Sequence, residues 1–426
     1  MDRSEESANP AEATSSVVPA SEESPTSLPS QGSPFEVLWV ALRLGLTSFG
    51  GPIAHLGYFR NEYVVRRQWL DESTYADVVA LCQFLPGPAS SQVGIIVGIV
   101  RAGLPGGLLA WLAFTLPSAI ALVIFGYGVQ QFDVSGAAWL HGLKVVAVAV
   151  VAQAVWGMSR SLAPDRERAT IAILATIAAL AWQTAIGQIL IIVVAGFIGW
   201  RLLPAPSSQS DHISLSTRIP TWLAITSLVL FFALLGGLPL ARQIEPSQWL
   251  ALFDSFFRVG SLVFGGGHVV LPLLQSEVVG PGWLTNEQFV AGYGAAQAVP
   301  GPLFTFSAYL GTMMQAQPNG VAGAGLALVA IFLPSFLLII GVLPFWDVLR
   351  RRPALQSALG GINAAVVGLL LAALYSPVWT NAIESPTDFG LAAVALGLLV
   401  LWKWPPWLVV LSTAGGSEAL AALARL

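Results

Sequence analysis

The sequence predicts an all-α polytopic membrane protein of two homologous six-helix repeats in opposite orientation, about 13 transmembrane segments in all, with helices broken at Pro-Gly-Pro. Three observations carry this. Of 426 residues, 55 % are hydrophobic and only 10 % charged, with a mean hydropathy of +0.73. A soluble surface of this size takes about a quarter charged residues. An ordered set of Arg, Glu, Gln, Gly and Pro recurs about 215 positions later. Pro-Gly-Pro stands twice inside apolar runs, at Pro86-Gly87-Pro88 and at Pro300-Gly301-Pro302.

The first 34 residues are rich in Ser, Pro and Glu and poor in aromatics, which predicts a disordered tail. They lack a basic stretch ahead of an apolar core, so no signal peptide is expected and the first apolar helix directs insertion. A hydrocarbon core takes about 20 apolar residues per helix. Such segments fall near 36–57, 75–100, 104–126, 137–158, 168–182 and 184–203. A polar, proline-bearing linker follows from Pro204 to Pro220. Segments resume near 221–240, 249–271, 287–314, 320–343, 355–376, 388–402 and 405–423. The plan is a tail (1–34), a first repeat (35–203), a linker with one extra helix (204–247) and a second repeat (248–426).

The repeat is read from polar and glycine positions, since shared apolar residues mean little in so hydrophobic a chain. "RLGLTSFGG" (43–51) matches "RVGSLVFGG" (258–266). Glu62 matches Glu277, Trp69-Leu70 matches Trp283-Leu284, and Gln83 with its Pro-Gly-Pro matches Gln297 with its own. Leu116-Pro117-Ser118 matches Leu333-Pro334-Ser335. Six helices per half plus a linking helix start the second half on the opposite face, the inverted repeat of many secondary transporters. Eleven Lys and Arg residues then share one side and five the other, which puts the N-terminus in the cytoplasm. The loop holding Arg60, Arg66 and Arg67 fits that count poorly. If both Pro-Gly-Pro segments re-enter instead of crossing, the count is ten against six and the N-terminus lies outside. Charge bias leaves the choice open.

Proline removes a backbone donor and clashes with the preceding turn. Broken backbone survives at membrane depth only where it lines a polar cavity or is buried in protein. Each second proline suits the first position of a new half-helix, with the glycine beside it as cap. Free N–H groups and the positive dipole end of that half-helix suit an anion. Ser90, Ser91 and Gln92 add donors in the first half, Thr305 and Ser307 in the second. Arg43 and Arg258 sit mid-segment, where a charge costs roughly 2.5 kcal/mol or more. Guanidinium stays charged and forks onto tetrahedral oxyanions. Asp254, one turn before Arg258, is an alternative ion-pair partner for it, whereas Arg43 has no acid at that spacing. Lys144 lies near its segment's end, where snorkelling is an ordinary outcome. The glycines of "TSFGGP" and "LVFGGG" allow close helix approach or an unwound stretch. Glu62, Glu277, His55 and His268 are the candidate proton carriers, although a loop carboxylate or an interface histidine has ordinary structural uses too.

With "SFGGP…LCQFLPGP" and "VFGGG…AAQAVPGP" in register, the chain resembles the chromate ion transporter family in its long, two-domain form. The match runs over nearly all of the chain beyond Pro34. The resemblance implies a prokaryotic plasma-membrane carrier that expels chromate, driven by the proton-motive force, and so confers resistance; some members are linked to sulfate. Carried over by position, Arg43, Gly50, Gly51, Pro52, Gln83, Pro86, Gly87 and Pro88 fill the first motif. Arg258, Gly265, Gly266, Gln297, Pro300, Gly301 and Pro302 fill the second. Gly267 stands where the first copy has Pro52, so the halves are not equivalent.

Other classes fit less well. There is no GxSxG, no HExxH and no pair of membrane-embedded acids, so an enzyme is not expected. The four histidines show no ligand spacing and Cys82 is the only cysteine, so neither a metal nor another cofactor is expected. GxxxxGK[ST] is absent, which disfavours an ATP-driven pump. No basic cluster exceeds Arg350-Arg351-Arg352, so nucleic acid is not a partner. The expected partners are a chromate- or sulfate-like oxyanion and the lipid bilayer, and a homo-oligomer is compatible with the plan. A sulfate or general oxyanion transporter, or an anion channel with duplicated half-helices, remains the alternative.

Overall fold

The computed structural model describes residues 32–131, 137–182, 184–204, 219–264, 270–349 and 352–424. Most of the expected tail, the linker from 205 to 218, and Gly265, Gly266 and His268 lie outside the described residues. The described chain is helical throughout, with no strand. Six of its helices are long and apolar enough to cross a membrane: Ala89–Gln131, Ala138–Leu162, Thr221–Ile244, Gly320–Phe345, Pro353–Ala382 and Pro406–Leu423.

The expected count of about 13 treated several segments as whole that the structure divides. The segment near 36–57 is two helices, α1 (Pro34–Thr47) and α2 (Gly51–Arg60), and α2 runs on as a wider π-helical turn, Asn61–Arg66. The segment near 75–100 is α3 (Glu72–Phe84) and the first arm of α4 (Ala89–Gln131). The same division recurs in the second repeat. There α9 (Gln248–Leu262) is followed by α10 (Val270–Val278), and α11 (Asn286–Ala296) by a single 3₁₀ turn (Leu303–Thr305) and α12 (Phe306–Met313). Three of these divisions fall at Gly50, at Pro86-Gly87-Pro88 and at Pro300-Gly301-Pro302, positions that the repeat shares; the fourth lies outside the described residues.

The divided segments fold back on themselves as helical hairpins. Glu36 near the start of α1 pairs with Arg67 just past the α2 extension (3.5 Å) and with Arg101 at the end of α4's first arm (3.2 Å). Arg60 pairs with Glu72 at the start of α3 (2.5 Å). The open ends of both first-repeat hairpins therefore gather in one place. In the second repeat, Arg258 on α9 pairs with Glu277 on α10 (3.3 Å), and the Tyr309 hydroxyl on α12 donates to the Gln288 carbonyl on α11 (3.0 Å). Helix α4 turns back at Ala102 and Gly103, where Gly103 takes φ +68°. Its two arms meet at glycine: a Cβ on Gly98 would sit 2.5 Å from the Gly106 carbonyl oxygen. Gly311 on α12 makes the matching approach to Gly323 on α13 (Gly320–Val342).

Long helices surround these hairpins. They are α5 (Ala138–Leu162), the pair α6 (Arg166–Ala181) and α7 (Ala185–Leu202), and α8 (Thr221–Ile244). Beyond α13, the short α14 (Trp346–Leu349) leads to α15 (Pro353–Ala373). A kinked turn and α16 (Thr380–Ala382) then precede α17 (Pro386–Val400) and α18 (Pro406–Ala424). One apolar core runs through both repeats and includes Phe59, Leu81, Phe256, Phe304 and Phe332. Large apolar side chains such as Trp39, Ile124, Phe232 and Leu401 stay exposed. An apolar exterior around an apolar core is what a bilayer-embedded chain shows.

Candidate functional site

Gly50, Gly87 and Gly301 take φ of +99°, +123° and +90°, values that favour glycine over any residue with a Cβ. This local freedom lets the chain turn sharply between half-helices. The helix after the first break starts at Ala89, so Pro88 is the residue before it; it is not the first helical residue. In the second repeat Pro302 likewise precedes the 3₁₀ turn. The expectation that each proline would be the first helical residue is one position out, the usual uncertainty of a helix end.

The two repeats meet at their breaks. The Gly87 N–H donates to the Val263 carbonyl (2.6 Å), and the Gly301 N–H donates to the Ser48 carbonyl (2.8 Å). Val263 and Ser48 are the residues just before Phe-Gly-Gly in the second and first repeat. Each Pro-Gly-Pro tip is thus tied to the residue that ends the other repeat's first helix, α9 or α1. The serines of the two Leu-Pro-Ser motifs cross in the same way. Ser118 Oγ donates to the Pro300 carbonyl. Ser335 Oγ receives a hydrogen bond from Gln92 Nε2 (3.3 Å), which also donates to the Pro86 carbonyl (2.7 Å). The sequence showed Leu-Pro-Ser as a repeated motif but assigned it no place. The duplication was the only signal.

Polar groups concentrate here. Ser90, Ser91, Gln92, Thr305 and Ser307 are all buried. Thr305 is spent on its own turn, its hydroxyl donating to the Pro302 carbonyl (2.8 Å). His55 Nδ1 lies 3.3 Å from Ser90 Oγ, with Phe114 edge-on to the imidazole (ring centroids 5.5 Å apart). Among the described residues, seven buried atoms near the breaks have no hydrogen-bond partner: Ser48 Oγ, His55 Nε2, Ser91 Oγ, Gln92 Oε1, Thr115 Oγ1, Gln297 Nε2 and Ser307 Oγ. Each such atom costs about 1–3 kcal/mol, so a cluster is a place built for polar company. A cavity of about 20 Å³, lined in part by Gly50, Gly51, Gln297 and Gly301, holds room for about one water.

Neither matched arginine has a side-chain hydrogen bond to these polar groups among the described residues. Arg258 is held by Asp254 (2.6 Å) and Glu277 (3.3 Å), and Arg242 also reaches Asp254 (3.5 Å). Asp254 and Glu277 are buried. The expected alternative to a substrate role, an ion pair one turn away, is therefore present, with a second carboxylate added. Arg43 is exposed and lines an outward cleft with Trp39, Leu46, Thr47 and Arg67. Glu62 is buried and holds Arg67 (2.7 Å) and Arg66 (3.0 Å). Arg67 and Arg101 also lie against the Trp69 ring, at 5.5 and 5.1 Å from its centroid. The repeat-matched carboxylates are thus anchors for arginine. Lys144 lies 3.9 Å from Glu384, beside a His141–Asp388 pair (2.9 Å). No cluster of His, Cys, Asp or Glu among the described residues suits a metal ion.

Duplicated helical hairpins that meet at a buried polar centre, with six helices long and apolar enough to cross a membrane, define a multi-pass membrane protein. The chain belongs to the chromate transporter family, whose model matches residues 35–200 and 250–417. It is 29 % identical to a chromate transport protein of Pseudomonas aeruginosa over 378 residues, 85 % of this chain and 86 % of the relative. It is 27 % identical over 372 residues to a chromate transport protein of Cupriavidus metallidurans, with the same coverage. A probable chromate transport protein of Synechococcus elongatus is 27 % identical over 382 residues, 88 % of this chain and 93 % of that one. No solved structure matches the chain.

Proposed function

We propose that this protein is a secondary active transporter that exports chromate across the plasma membrane, drawing on the proton-motive force and so giving chromate resistance. The observation that carries the reading is the reciprocal pair of tip contacts, Gly87 to Val263 and Gly301 to Ser48, set among buried unpartnered polar atoms. Donors from Ser48, Ser91, Gln297 and Ser307, with the N-terminal N–H groups of α4's first arm, suit a tetrahedral oxyanion. Arg258 and Arg43 act outside the centre in this reading. His55 is the candidate proton carrier, because one ring nitrogen faces Ser90 and the other has no partner among the described residues.

The repeats are inverted in this proposal, and alternating access is the parting of one pair of tips and then the other. Support comes from where the hairpins open. Those of the first repeat open beside Arg101, where α4's second arm begins. The α11–α12 hairpin of the second opens beside that arm's far end, where Val321 N donates to the Tyr127 hydroxyl (3.1 Å) and Gln130 donates to the Thr312 carbonyl (3.2 Å). The arm between them is about 40 Å long at 1.5 Å per residue. Folding back at Phe-Gly-Gly as well as at Pro-Gly-Pro, unlike re-entry at Pro-Gly-Pro alone, also removes the awkward charge loop, since Arg60, Arg66, Arg67 and Arg101 then share the side of the α1 start. That side is the cytoplasm by the positive-inside rule. A cavity with room for about one water favours a closed carrier over an open anion channel.

The test is chromate uptake into everted membrane vesicles, where export from the cell reads as uptake. Saturable uptake that rises with an imposed proton gradient, and that sulfate barely inhibits, is the expected result. Equal inhibition by sulfate makes this a general oxyanion carrier. No uptake above empty vesicles, with the protein shown to be inserted, overturns the proposal.

A further inference from the structure

The duplication leaves one charge unmatched. Arg258 has Asp254 one turn earlier and Glu277 across its hairpin. In the first repeat the position matching Asp254 is Trp39, and the carboxylate matching Glu277, Glu62, is occupied by Arg66 and Arg67. Arg43 pairs with no carboxylate among the described residues. Around it, Arg66, Arg67 and Arg101 already engage the carboxylates of Glu36 and Glu62.

Arg43 opens onto a cleft of about 400 Å³ on the outside of the helix bundle, shared with Arg67 and walled by Trp39, Val40, Leu42 and Leu46. Trp39 is 70 % exposed and Leu46 54 %, so the wall faces lipid. Glu36 and Arg67 mark the polar end of α1, and Arg43 lies about 10 Å deeper along the helix. An arginine stem spans much of that depth and carries its guanidinium back toward the interface, where lipid phosphates sit. An unpaired guanidinium at this depth is costly, and a bidentate phosphate is the partner that its planar fork fits. We propose that the cleft between Arg43 and Arg67 binds the phosphate of an anionic phospholipid, with an acyl chain along Trp39, Leu42 and Leu46. A freely dissolved oxyanion shares the charge chemistry but has no use for the apolar wall, which is why the lipid is the assigned occupant.

The experiment compares the full-length protein in nanodiscs of phosphatidylglycerol and of phosphatidylcholine, with retained lipid read by native mass spectrometry and stability by thermal melting. The wild-type protein should retain phosphatidylglycerol preferentially and melt higher in it. Arg43→Gln should cut that preference about fivefold. Trp39→Asp gives Arg43 the i,i+4 carboxylate that Arg258 already has, so it should abolish the preference while melting normally in phosphatidylcholine. It also stands in if Arg43→Gln does not fold. Equal retention of both lipids by the wild type overturns the proposal, as does an unchanged preference in Trp39→Asp. Stabilisation by dissolved inorganic phosphate equal to that by phosphatidylglycerol overturns it too, in favour of a free-anion site.

Discussion

The two repeats agree in their backbone and disagree in their charges. At the tips, Gly87 and Gly301 make the same hydrogen bond to the other repeat, and Ser335 and Ser118 crowd the same glycine positions, each 2.5 Å from where a Cβ would be. About one turn before the first bend of each repeat, one arginine of the matched pair is locked between two carboxylates and the other faces outward. The two copies differ where Arg258 has carboxylate partners and Arg43 has none among the described residues. They agree where the chain must turn with a positive φ in a crowded interior. Function is therefore expected to follow the shared part, and stability in different lipids to follow the divergent part.

The sharpest way to break that comparison is Gly87→Ala against Gly301→Ala. Each adds a Cβ at a positive φ and drives it into a serine oxygen. The φ cost alone is about 1–2 kcal/mol, and the clash adds to it. Both variants should lower chromate uptake in everted vesicles by more than tenfold while still inserting. If one is silent, the tips are not equivalent and only one repeat carries the site.

Next in size are the arginines. Asp254→Asn leaves Arg258 with one carboxylate instead of two in a buried setting, and breaking a buried pair costs about 3–5 kcal/mol. Asp254 itself is buried and Arg258 is partly so, which puts the effect toward the lower figure. The melting temperature in a zwitterionic detergent should drop clearly. Arg43→Ala in the same detergent should change it little, since exposed substitutions stay within about 0.5 kcal/mol. Equal drops would mean that the first repeat holds its arginine as tightly as the second.

Much of this was legible in the sequence, and the limits have physical causes. The breaks at Pro-Gly-Pro were readable because proline and glycine act on their own backbone. That Arg43 lacks an acid one turn away, and that Arg258 has one, was readable from helical spacing. The hairpin return at Phe-Gly-Gly was not, because 36–57 is one apolar run whose direction change rests on two glycines. Nor was the grip of Glu62 on Arg67, which lie five residues apart and are brought together across a π-helical turn. The role of Leu-Pro-Ser was hidden for another reason: each copy serves the break of the opposite repeat, about 180 residues away from Ser118 and about 250 from Ser335, and no local pattern encodes that.

Those serines give the smallest and most specific test. Ser118 satisfies the Pro300 carbonyl, a backbone acceptor that lies in the non-helical break and so has no helical donor. Ser118→Ala removes one hydrogen bond, worth about 1 kcal/mol, and opens space beside Gly301 without touching the tip bond to Ser48. Ser335→Ala removes the corresponding contact at Gly87, but Gln92 still reaches the Pro86 carbonyl there. The Pro86 carbonyl thus keeps a side-chain donor in Ser335→Ala, whereas the Pro300 carbonyl, among the described residues, keeps none in Ser118→Ala. Ser118→Ala should therefore slow uptake severalfold, Ser335→Ala less, and the double variant should show the two effects adding, since the serines have no shared partner. If Ser335→Ala is the more damaging, Gln92 is not the support that its position implies, and the Ser335 contact at Gly87 is what keeps the first tip in place.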